Sequence, residues 1–175
     1  MKKKCQVAYL FSKNVQEIHQ TFQPIVSQLE KLVVGRTGVF EKYSKSMNMA
    51  TVALVLYLMP AGDRVNEDIK DYMNTPLLTN MTSKNKEVVV VFLRSYDGKG
   101  IIGQIKVPDK CAWVEVVCFT NYYNNRKQIS SELDITKRAI TRLREMIKRV
   151  CPDILLISPH NDNYILFSMM IMMMV

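Results

Sequence analysis

The sequence predicts an α/β fold: one open, largely parallel sheet with helices on both faces, of the flavodoxin-like or Rossmann-like kind. Three observations lead there. The runs VALVLYL at 52–58, VVVVFL at 88–93 and VEVVCF at 114–119 are nearly continuous in apolar residues rather than alternating, as in strands buried on both faces. Amphipathic helical stretches separate several of the strand-like runs, most clearly at 132–150. The resulting order of strand, helix, strand, strand, helix, strand, strand, helix, strand suits right-handed crossovers onto parallel neighbours, with ligands at the carboxyl ends of strands.

Taken in order, Gln6–Phe11 reads as the first strand. Asn14 then caps a helix, with Glu17 at capping-box spacing, and Val15, Ile18, Phe22, Ile25, Leu29 and Leu32 form one stripe. Pro24 predicts a kink, or a break near Phe22 with a restart, because an interior proline costs about 3 kcal/mol. Residues 38–43 read as a weak edge strand and 51–58 as a central one. A short helix is expected at 64–73, with Val65, Ile69 and Tyr72 inward, followed by an exposed loop at 74–86. Strands follow at 87–93 and 113–119. The helix at 132–150 opens with Ser131 and Asp134 as its box, carries Ile135, Ala139, Leu143, Met146, Ile147 and Val150 on one face, and stops at Pro152. A last strand is expected at 153–157.

A chain of 175 residues fits one domain, assigned to residues 1–160, with an apolar, Met-rich C-terminal tail at 161–175. The apolar run of that tail, 164–175, has twelve residues, short of the ~20 that span a bilayer. It reads as a segment packed on the body or a loosely ordered end, with membrane contact as the alternative. The apolar run at 7–11 is too short for a secretory h-region. The expected compartment is therefore cytoplasmic, with reduced thiols.

No catalytic constellation emerges. Cys5, Cys111, Cys118 and Cys151 lack C-x-x-C spacing, and His19 and His160 stand apart from paired carboxylates or cysteines, so no metal site and no cofactor are expected. Gly98, Gly100 and Gly103 match G-x-G-x-x-G, but Pro108 and its β-branched neighbour Val107 argue against the helix a dinucleotide needs. A surface turn from Tyr96 to Gly98 explains the glycines better.

Two groups of residues remain as binding candidates. In an open sheet the loops after strands would hold a ligand, which singles out Ser12, Lys13 and Asn14 after the first strand and Gly62, Asp63 and Arg64 after the third. The second group is the basic surface Lys137, Arg138, Arg142, Arg144, Lys148 and Arg149 of the last helix. With the net charge of +8, it suits phosphate or acidic-protein contacts. Both groups also read as ordinary solvated residues of loop rims and helix faces.

Two stretches stand out, VAYLFS at 7–12 with HQTF at 19–22, and VALVLYLMP at 52–60 with Gly62, Asp68, Ile69 and VVVVFL at 88–93. In them the chain resembles a group of small vertebrate proteins, best represented in fishes, that look flavodoxin-like and have no established activity. The resemblance spans about half the chain and brings no catalytic residues. The Met-rich tail and the 153–157 segment depart from the group's pattern. Three functions are therefore expected: first a non-catalytic protein-interaction module, then a small-molecule or nucleotide-binding enzyme using strand-end loops, then nucleic-acid binding through the basic helix.

Overall fold

The computed structural model describes residues 5–12, 19–61, 80–81, 86–95, 112–121 and 126–154. In chain order they form β1 (Gln6–Phe11), α1 (His19–Val34), β2 (Phe40–Lys42), β3 (Val52–Ala61), β4 (Glu87–Ser95), β5 (Ala112–Asn121), β6 (Arg126–Ile129) and α2 (Asp134–Val150). The six strands make one sheet in the order β2-β1-β3-β4-β5-β6. All neighbours are parallel except β5 and β6, which pair antiparallel. The fold is α/β with a mostly parallel sheet.

The three continuous apolar runs lie side by side as β3, β4 and β5. Side chains alternate across such strands, so each run supplies both faces. One face presents Val7, Tyr9, Leu54, Leu56, Leu58, Val89, Val91, Val114 and Val116 to a core completed by α1 and α2. The other buries Ala8, Val55, Tyr57, Met59, Val88, Val90 and Phe92 together with Met81. Both described long helices contribute to the first core. Met81 corrects the exposed-loop reading of 74–86 at that position: it is helical and buried.

Helix α1 runs through Pro24 without the expected break. Ile25, Val26, Leu29 and Val33 are buried on it, and at roughly 1.5–3 kcal/mol for each fully buried aliphatic side chain they outweigh the proline's cost of about 3 kcal/mol. The helix ends at Gly35, whose φ of 84° is the left-handed conformation favoured just past a helix end, and whose N–H donates to Lys31 O at 2.9 Å. Beyond it, the buried Glu30 carboxylate uses Oε1 to accept from the N–H groups of Val39 and Phe40. That contact delivers the chain to β2, an edge strand of three residues.

Helix α2 begins two residues later than the capping box suggests. Leu133 occupies the N-cap, and no side chain caps the helix. Its first turn is held instead by Thr136, fully buried, whose Oγ1 accepts from Val117 N–H at 3.1 Å. The inward face is correspondingly rotated: Thr136, Ala139, Ile140, Leu143, Met146 and Ile147 are buried, while Ile135 and Val150 are only partly so. After the helix, Asp153 and Ile154 belong to a turn, Ile154 N–H donating to Cys151 O at 3.0 Å, rather than to a strand.

The expectation of reduced thiols is corrected at one pair. Cys5, just before β1, and Cys151, just after α2, form a disulfide across 146 positions, with Cα atoms 5.6 Å apart, an ordinary separation for such a bond. Sequence spacing hides the pairing because β1 and α2 meet only when the sheet assembles. Cys118 is a buried free thiol.

The segments 64–73, 96–111 and 161–175, with the short helix, the glycine motif and the tail assigned to them, lie outside the described residues. No described helix is long and apolar enough to cross a membrane.

Candidate interaction surface and strand-end site

Parallel strands point their carboxyl ends to one pole of the sheet. β1 has β2 on one side and β3 on the other, so the chain turns opposite ways after β1 and after β2, leaving a topological switch point between β1 and β3. Ser12 sits there. Its N–H donates to Leu58 O at 3.0 Å, continuing the β1–β3 ladder. Its side chain is buried, and Oγ has no hydrogen-bond partner among the described residues. Lys13, Asn14, Gly62, Asp63 and Arg64 lie outside the described residues, so Ser12 is the member of this candidate group whose position is described.

Farther along the same pole, Arg94 on β4 bonds Glu115 on β5 at 3.0 Å. The two residues share the sheet face opposite α1 and α2, with Glu115 the better shielded of the two, so Arg94 is already compensated. Beside them stand Trp113 and Phe119, the large apolar side chains most exposed among those described, at 36% and 41%. Trp113 packs edge-on against Phe92 with ring centroids 5.9 Å apart. Sequence reading passed over these two, although the signal was present: Trp113, Glu115 and Phe119 fall on alternate positions, as on a strand face that is not fully covered.

The second candidate group lies on α2, a helix of 17 residues, about 25 Å long at 1.5 Å per residue. Lys137, Arg138, Arg142, Lys148 and Arg149 are exposed on it, with Thr141 and Glu145 on the same side. Arg144 lies at the edge of that surface and is engaged by α1. It is half-buried, its Nη2 donates to Leu32 O at 2.7 Å near the end of α1, and its Nε is buried without a described partner. A cation there faces the negative end of the α1 dipole, so Arg144 joins the two helices.

Arg149 is exposed but engaged. Its Nη2 reaches both carboxylate oxygens of Glu87, at 2.9 and 2.8 Å. The hydrogen bond first and the carboxylate's charge second raise its pKa still further, so it stays a paired cation. An exposed ion pair of this kind adds little stability; its effect is to take one charge out of the surface. Lys137, Arg138, Arg142 and Lys148 form no ion pair among the described residues, and Asp134 in the first turn and Glu145 are the exposed carboxylates on their face. The result is a cationic ridge on a helix anchored by Ala139, Ile140, Leu143 and Ile147.

Cys118 does not supply a nucleophile. Burial pushes its thiol up to about 12, against a smaller opposing effect of Lys127, so it is protonated at neutral pH. No cluster of three or more metal-ligating side chains occurs among the described residues. Compared with known proteins, the chain matches no family model, no curated protein and no solved structure.

Proposed function

We propose that this chain is a non-catalytic interaction module that docks an acidic protein surface on the outer face of α2. The observation that carries the reading is the set Lys137, Arg138, Arg142 and Lys148, exposed together without described ion-pair partners. Surface cations on a fixed helix steer an acidic partner and set its register more than they add raw affinity. The strand order β2-β1-β3-β4-β5 supports placing the body with the flavodoxin-like architectures. The cytoplasmic expectation is kept, and in that compartment the Cys5–Cys151 bond is a redox-responsive link rather than a permanent staple.

The second reading, a small-molecule or nucleotide site at the strand ends, is favoured by the buried, unpartnered Ser12 Oγ at the switch point. The third is nucleic acid on the same cationic face.

The test is binding of polyglutamate, single-stranded RNA and duplex DNA to the full chain and to a Lys137→Glu, Arg138→Glu, Arg142→Glu variant. Polyglutamate affinity is expected to fall at least about tenfold in the variant, ~1.4 kcal/mol, and to weaken with salt in the parent. Unchanged affinity would remove α2 as the docking face. Tighter binding of RNA or DNA than of polyglutamate at physiological salt would replace the protein partner by nucleic acid.

A further inference from the structure

We propose that Cys5 is a site of reversible S-thiolation by a low-molecular-weight thiol of the glutathione type, with Cys151 as the leaving sulfur. The two ends of the disulfide are unequal. Cys151 is fully buried, while Cys5 is partly exposed. The backbone closes around Cys151 from both sides, its N–H donating to Ile147 O at 2.7 Å and its carbonyl accepting from Ile154 N–H at 3.0 Å. A thiolate attacks a disulfide at one sulfur and displaces the other, so the sulfur that solvent reaches decides the direction.

In the forward step the glutathione thiolate attacks Cys5 Sγ. A new sulfur–sulfur bond forms there, the bond to Cys151 breaks, and Cys151 leaves as a thiolate that takes a proton from water. Two routes follow. Cys151, once deprotonated, attacks Cys5 Sγ again, re-forming the disulfide and expelling the glutathione thiolate. Alternatively a second glutathione thiolate attacks the glutathione sulfur, giving oxidised glutathione and a Cys5 thiolate that is then protonated. The net reduction consumes two glutathione molecules and yields two protein thiols and one molecule of oxidised glutathione. Cys118, buried and protonated, is the internal control.

The experiment uses the full oxidised chain, incubated with reduced glutathione over a range of concentrations, quenched with acid, alkylated and mapped by mass spectrometry. The expected intermediate carries glutathione on Cys5 and alkyl on Cys151, appears at a rate proportional to glutathione concentration, and leaves Cys118 without glutathione. In Cys151→Ser, treated with oxidised glutathione, the adduct on Cys5 should accumulate. The parent alone decides the matter if that variant fails to fold. Glutathione found on Cys151 in place of Cys5, reduction at a rate independent of glutathione concentration, or a folded chain that resists reduction altogether would each overturn the proposal.

Discussion

Replacing Cys5 and Cys151 together by alanine should lower the unfolding free energy by about 5 kcal/mol, the chain-entropy value for a loop of this length. The two sulfurs are separated by 146 positions, so the bond converts nearly the whole described chain into a closed ring and removes many extended conformations from the unfolded ensemble. A domain stable by roughly 5–15 kcal/mol would lose a third or more of that margin. Urea titration of the oxidised parent and the double variant measures the effect. The midpoint should fall, and the slope should steepen because an unbridged chain exposes more surface on unfolding. Equal midpoints would mean that the ring closure contributes nothing.

A second large loss is expected from Glu30→Ala. The carboxylate is buried and accepts from two backbone donors, Val39 and Phe40 N–H. Alanine leaves both without that acceptor, at about 1–3 kcal/mol for the buried Phe40 donor and less for the part-buried Val39 donor, so the sum is roughly 2–4 kcal/mol. The damage should be concentrated at β2, three residues on the sheet edge, and appear as faster amide exchange at Phe40 before exchange rises in β3 or β4. Glu30→Gln keeps an acceptor oxygen in place and should lose less. Equal losses for alanine and glutamine would show that the acceptor oxygen is not what matters.

The middle of the fold was legible because its physics is local in sequence. Residues 52–58 and 88–93 are apolar at successive positions, as a strand with two buried faces requires, while 114–119 is broken by Glu115 on the face where Phe119 is exposed. The edge position of β2 and the amphipathic character of 132–150 were readable on similar grounds. Other features depend on contacts made only after the chain folds. β6 is Arg-Lys-Gln-Ile, with no apolar period, and exists because it pairs with the end of β5 while Gln28 of α1 accepts from Ile129 N–H at 2.8 Å. Thr136 displaces the capping box because a β5 amide needs an acceptor inside the core. Glu30 and Arg144 look like solvent-facing charges in the sequence, yet Glu30 turns toward amides at the start of β2 and Arg144 toward a carbonyl near the end of α1.

Within the candidate groups, Lys137, Arg138, Arg142 and Lys148 could be placed on one helix face from spacing alone. The bond of Arg144 to Leu32 O and the pairing of Arg149 with Glu87 could not, since their partners lie on α1 and at the start of β4. Ser12 was readable as a residue following a strand. That its hydroxyl is buried at the switch point follows from the strand order, which no single segment encodes.

The most direct measurement is amide chemical-shift mapping by NMR of the isotope-labelled full chain titrated with an acidic polypeptide. If α2 is the docking face, the largest changes fall on Lys137, Arg138, Thr141, Arg142, Glu145 and Lys148 and fade as salt is raised. Changes centred instead on Ser12 and the carboxyl ends of β1 and β3, with the outer turns of α2 unmoved, would contradict the account and make the strand ends the working site.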